Sequence, residues 1–152
     1  MSDKGRMKKI LEDCSRRQET NGTKKNKLAH TVLVVDDALF MRSHLTSILT
    51  AVGYRVVGEA ANGKEAIEKF LEVRPTVVTM DVTMPEMDGI EAVRRILEMD
   101  NTATIVMVSA MGYKDMVVDA LVAGAKNFVI KPVTTRNLKR FLTVIKMAAG
   151  EA

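Results

Sequence analysis

From Val32 onward the chain alternates short β-branched apolar runs with longer stretches in which apolar residues recur at helical spacing. A strand buried on two sides reads as an unbroken apolar run, and a covering helix shows one apolar stripe, so this alternation predicts a parallel sheet with helices on both faces. The strand candidates are residues 32–35, 55–58, 76–80, 104–108 and 127–130. The first intervening helix is predicted to bury Phe40, Met41, Leu45, Ile48, Leu49 and Val52 and to stop at Gly53. In the second, Asn62 followed by Glu65 has the form of a capping box, and Ala66, Ile67, Phe70 and Leu71 keep the period until Arg74 and Pro75 end it. The third spans about 89–99, the fourth about 114–122 with Gly124 closing it, and the fifth begins at Thr134 or Thr135 and carries Leu138, Phe141, Leu142 and Ile145. The reading is an α/β domain over residues 30–152, doubly wound, with five strands and five helices.

Residues 1–29 form a separate arm. Met7, Ile10, Leu11 and Cys14 fall on one helical stripe, with Lys8, Lys9, Arg16 and Arg17 left to water. An isolated helix of this length is marginal in water, so the expectation is that it docks on its own domain or on a neighbour. The second half of the arm, rich in Lys with Asn, Gly and Thr, reads as a solvated linker.

Charge changes meaning once it is located. The chain carries +4 overall, but residues 1–29 hold nine Lys/Arg against four acids, so the excess sits in the arm and the remainder is slightly negative. No basic face suited to a phosphate backbone remains, and DNA is not an expected partner. At 152 residues, 47% of them apolar and 28% charged, one soluble domain is expected. No apolar run approaches the roughly 20 residues of a membrane span, and the first residues lack a signal-peptide core, so neither membrane insertion nor secretion is expected and the cytoplasm is the default. Cys14 is the only cysteine, which excludes an internal disulfide and a zinc cluster.

The strand ends carry the chemistry. In a parallel doubly wound sheet the strand C-termini share one edge, and ligands bind there where the strand order reverses. Asp36 and Asp37 follow the first run, Asp81 the third, Ser109 the fourth, and Lys131 and Pro132 the fifth. Any one of these has a bland reading, since acids and serines often end strands. Three carboxylates, a hydroxyl and an ammonium on one edge are a poor device for stability and a workable one for handling a phosphoryl group. Crowded carboxylates repel unless a cation joins them, and hard oxygen ligands select Mg2+ or Mn2+. Asp81 would then attack phosphorus, Lys131 would balance charge, and Ser109 would donate a hydrogen bond.

Val34-Val35-Asp36-Asp37, the segment from Met80-Asp81 to Asp88-Gly89, Ser109-Ala110 and Lys131-Pro132 resemble the signature of response regulator receiver domains, over residues 31–149. The resemblance implies a flavodoxin-like sheet of order 2-1-3-4-5. It implies Asp81 as phosphoacceptor, with Asp37, Asp81 and the Thr83 carbonyl holding the metal and Asp36 assisting through water. Ser109 and Lys131 would contact the phosphoryl group, and Ser109 and Phe128 would act as the switch, altering the surface of the fourth helix, fifth strand and fifth helix. In the family Lys131-Pro132 is usually cis. Many members carry Tyr where this chain has Phe128, which lacks the hydroxyl to hydrogen-bond in its inward position. Thr83 and Met111 occupy positions that tune the lifetime of the phosphoryl group.

Asp37 to Arg42, Ser109 to Gly112, and the absence of a linker and second domain after the fifth helix resemble the stand-alone chemotaxis receivers. Implied partners are a histidine kinase of the chemotaxis type, the flagellar motor switch and a phosphatase. A phosphorelay intermediate is the alternative within the family. The alternative from another class is an aspartyl phosphatase of haloacid-dehalogenase type, but Asp81-Val82-Thr83 lacks the second acid that its Asp-x-Asp pattern needs. A dinucleotide site is disfavoured because no strand is followed by G-x-G-x-x-G. His44 reads as a polar-face residue of the first helix. Met41, Met80 and Met107 read as core, and Met111, Met116 and Tyr113 as surface candidates.

Overall fold

Successive residues of a strand face opposite sides of a sheet, and β1 (Thr31–Val35) sorts accordingly: Val32 and Val34 join one buried cluster, Leu33 and Val35 the other. The computed structural model describes residues 3–20 and 30–151, with side chains described for 3–13 and 30–151. With β2 (Arg55–Ala60), β3 (Val77–Met80), β4 (Ile105–Ser109) and β5 (Asn127–Ile130), β1 forms one five-stranded sheet of order β2-β1-β3-β4-β5. Every neighbouring pair is parallel. This is the flavodoxin-like arrangement expected, with the order reversing at β1.

A helix in the arm, α1 (Asp3–Thr20), precedes the five helices of the repeat, which are α2 (Leu39–Ala51), α3 (Gly63–Val73), α4 (Gly89–Met99), α5 (Lys114–Ala123) and α6 (Leu138–Ala148). One core lies between the sheet and α2 with α6, around Leu45, Ile48, Leu49, Phe141 and Ile145; the other lies under α3, α4 and α5, around Phe70, Val93, Ile96 and Ala120. Asn62 caps α3 by accepting from the Glu65 amide, and the Glu65 carboxylate reaches back to the Ala61 amide. Asp88 caps α4 in the same way through the Glu91 amide. Gly124, at φ 117, ends α5 in a left-handed conformation that a Cβ would disfavour.

Three expectations fail for local reasons. Phe40 is 78% exposed rather than buried, its ring stacked on His44, and Leu39 beside it in the first turn of α2 is exposed as well. Leu71 is also exposed on α3. The last helix starts at Leu138, not at Thr134 or Thr135. The Asn137 side chain donates to the Ile130 and Pro132 carbonyls and accepts from the Thr134 amide, folding residues 130–137 into a turn before the helix can begin.

Helix α1 does dock. Met7, Ile10 and Leu11 are half-buried against the α2 and α6 side of the core, and the Thr135 hydroxyl donates to Asp3 at the helix start. Cys14, the fourth residue of the predicted stripe, and the linker at 21–29 lie outside the described side chains and residues. The contact is loose: a cleft of about 690 Å3 remains between α1 and α2, bordered by Lys4, Met7, Leu11, His44 and Ile48. Half-burial of three apolar side chains contributes a few kcal/mol, and ordering a helix whose own hydrogen bonds nearly balance its entropy reduces the net to about 1–2 kcal/mol. Deleting residues 1–28 is therefore expected to lower the melting temperature by about 3–6 °C, and an unchanged melting curve would argue that α1 contributes nothing to the fold.

Candidate functional site

Because β1 and β3 are adjacent and in register, with Val35 opposite Met80, the acids that follow them emerge side by side. The Asp36 amide donates to the Ala60 carbonyl and the Asp81 amide to the Val35 carbonyl, each at 3.0 Å, so the ladder continues one residue into the site. The start of α4 closes tightly beneath Asp81. The Gly89 amide donates to the Val82 carbonyl at 2.7 Å, and a Cβ at Gly89 would stand 1.9 Å from the Asp81 backbone oxygen. Only glycine permits that approach.

Carboxylate oxygens of Asp36, Asp37 and Asp81 lie within 4.8 Å of one another. Asp36 is 1% exposed and Asp81 5%, whereas Asp37 stands exposed at the mouth. Lys131 reaches across from the end of β5, its Nζ 2.7 Å from Asp36 Oδ2 and 3.4 Å from Asp81 Oδ2. Its own amide donates to the Ser109 carbonyl at 2.8 Å, and the Lys131-Pro132 peptide is cis. Ser109 is buried at the end of β4, and its hydroxyl oxygen accepts from the Met111 amide at 3.3 Å. Thr83, two residues past Asp81, is exposed on the rim. Phe128 is buried in the core under α3, α4 and α5, and Arg140 donates to its carbonyl at 3.0 Å.

Charge is unbalanced here. Among the described residues one ammonium faces three carboxylates in a partly desolvated cleft, and burial pushes the Asp81 carboxyl up to about 6; Lys131 opposes the shift, while Asp36 and Asp37 add to it. An all-oxygen donor set with surplus negative charge fits a hard divalent cation such as Mg2+ and does not fit a soft one.

Two contacts were not read from the sequence. His44, expected on a polar face, bonds through Nε2 to the Val133 carbonyl at 2.8 Å, tying α2 to the loop after Lys131. Arg42 donates from Nη1 to the Asp36 carbonyl at 2.7 Å. Its available signal was a cation near the start of a helix, where the macrodipole disfavours one.

Among proteins of known family, the response regulator receiver domain matches residues 32–143. The chain is 55% identical to the chemotaxis protein CheY of Thermotoga maritima over 101 residues, 66% of this chain and 84% of that protein. It is 54% identical to CheY of Bacillus subtilis over 105 residues, 69% of this chain and 88% of that protein. Among solved structures, the CheX-CheY-BeF3-Mg2+ complex from Borrelia burgdorferi contains a chain that is 38% identical and superimposes with a TM-score of 0.72, over 77% of this chain and 87% of that one.

The raised pKa of Asp81 has a consequence for stability. Folded Asp81 holds its proton up to about pH 6, whereas the unfolded chain releases it near pH 4. The folded state thus binds more protons in that window, so stability falls as pH rises from about 4 to about 6 and the cost persists above it. That cost is on the order of 3 kcal/mol, and Asp81→Asn removes it. Urea unfolding in a chelator is expected to show Asp81→Asn more stable than wild type by about that amount near pH 7.5 and nearly equal near pH 4. A gap independent of pH would contradict the burial argument.

Proposed function

The chain belongs to the response regulator receiver family, and on that premise we propose that it is a chemotaxis receiver that accepts a phosphoryl group on Asp81 from a histidine kinase and signals by a change of surface. The observation that carries this is the meeting of Asp36, Asp37 and Asp81 with Lys131 in one cleft. An Asp81 carboxylate oxygen attacks the phosphorus of a kinase phosphohistidine; the O–P bond forms as the P–N bond breaks, and the imidazole leaves. Lys131, already 3.4 Å from Asp81, turns its ammonium to a phosphoryl oxygen and so compensates the added charge. The Ser109 hydroxyl donates to a second oxygen. Asp37, Asp81 and the Thr83 carbonyl would hold Mg2+, or Mn2+, with Asp36 engaged through water, and the ion supplies neutralisation of the phosphoryl oxygens. Both Asp36 oxygens already have partners, Ala38 and Lys131, which favours the indirect part for that residue.

Ser109 and Phe128 then form the switch in this reading, coupled through the β4 and β5 pairing in which Met107 faces Phe128 and Ser109 faces Ile130. Around them the start of α5, α5 itself and β5 expose Tyr113, Val118, Val122 and Ile130, an apolar surface suited to a target. The chemotaxis relatives favour the flagellar motor switch as that target, and the CheX-bound relative favours a phosphatase as a further partner.

Intact-mass measurement with acetyl phosphate and Mg2+ is expected to find one labile phosphoryl group per chain, absent in Asp81→Asn and without steady turnover of small phosphate esters. A motor-switch peptide is expected to bind at least tenfold more tightly once acetyl phosphate is present, about 1.4 kcal/mol of coupling. Phosphorylation without any such gain would favour a phosphorelay intermediate.

A further inference from the structure

Arg42 sits in the second turn of α2, beside the buried stripe that begins with Met41, and its side chain is only 16% exposed. Long helical side chains lean toward the helix N-terminus, and this one reaches back over the turn that follows β1. Its Nη1 donates to the Asp36 carbonyl at 2.7 Å and its Nε to Glu59 Oε1, on β2, at 3.2 Å. The bonded carbonyl belongs to the peptide unit that joins Asp36 to Asp37. Rotation of that one peptide would carry the Asp37 carboxylate toward or away from Asp81.

Helix stability does not account for this placement. A cation near a helix N-terminus opposes the macrodipole, and α2 has neither an acid in its first turn nor a side-chain cap at Ala38 to offset it. A single pair with the largely exposed Glu59 contributes little by itself. Arg42 instead completes a set around Asp36: the amide is held by Ala60, Oδ1 by the Ala38 amide, Oδ2 by Lys131, and the carbonyl by Arg42. Asp37 is exposed, and its direction is inherited from the peptide before it.

We propose that Arg42 is a positioning residue for the divalent-cation site: by holding the peptide between the two acids it keeps the Asp37 carboxylate in reach of Asp81. This rests on the metal-dependent phosphoacceptor reading above and assigns a new part to a residue that touches neither metal nor phosphoryl group. Charge and positioning predict opposite signs. A guanidinium near the cleft repels an incoming cation, so if charge dominated, removing it would tighten Mg2+ binding; if positioning dominates, removing it weakens binding.

Calorimetric titration of the whole chain with Mg2+, without phosphodonor, separates the two. Arg42→Gln is expected to weaken Mg2+ by about tenfold or more, the usual effect of losing a group that orients a ligand. Arg42→Lys weakens it less but measurably, because a single ammonium on a shorter stem holds the Asp36 carbonyl without the second guanidinium bond that fixes its direction. At saturating Mg2+ the acetyl phosphate reaction of both variants returns to the wild-type rate, so the change lies in half-saturation and not in the maximum. Glu59→Gln, which leaves the carbonyl bond intact, stays within about twofold of wild type. Unchanged or tighter Mg2+ binding in folded Arg42→Lys, or an equal loss in Glu59→Gln, overturns the proposal. Should Arg42→Gln not fold, Arg42→Lys alone decides. A wild-type chain that binds no Mg2+ would instead sink the metal-dependent reading itself.

Discussion

Lys131 meets carboxylates that come from two other strands. Its ammonium lies 2.7 Å from Asp36 and 3.4 Å from Asp81, across a sheet edge where β1 and β3 run side by side and β5 lies two strands further out. Breaking a partly buried charge group of this kind is costly, because each remaining charge is left without its partner in a medium poorer than water. The reach of Lys131 depends on the β5 end being anchored, and it is: the Lys131 amide bonds Ser109, the loop beyond is folded by Asn137, and Val133 is tied to α2 by His44. The cleft is therefore held from every strand that lines it.

That arrangement leaves the site short of positive charge. Among the described residues one ammonium faces three carboxylates, and burial raises the pKa of Asp81, with Asp36 and Asp37 adding to the shift against Lys131. Electrostatic strain of this sort makes a group ready for a cation and for charge redistribution, which a permanently satisfied ion-pair network would not be. Asp36 and Asp37, adjacent in sequence, differ by burial: the first is held by four polar contacts, the second faces solvent.

The two cores bear unequally on this edge. Phe128 belongs to the one under α3, α4 and α5, directly across from Met107 in the strand next to it. The other core carries α1, whose first residue touches the loop after Lys131 through Thr135. Its loose seal makes that helix an addition to the fold and not part of its foundation.

Much of this is legible in the chain itself. Period-two and period-3.6 patterns respond to the same burial that builds the sheet, so the five strands, the caps at Asn62 and Gly124, and the strand-end positions of Asp36, Asp37, Asp81, Ser109 and Lys131 were legible from local sequence. What was not legible depended on partners distant along the chain. Phe40 satisfies the helical pattern yet stays exposed with its ring on His44, Asn137 delays a helix by bonding residues that precede it, and Arg42 and His44 find backbone carbonyls whose positions no periodicity encodes. Local pattern determines which face a residue offers to the core, because burial follows repeat geometry. Only tertiary structure decides which polar groups converge, because hydrogen bonds and charge pairs act over a few ångströms between segments that sequence keeps far apart.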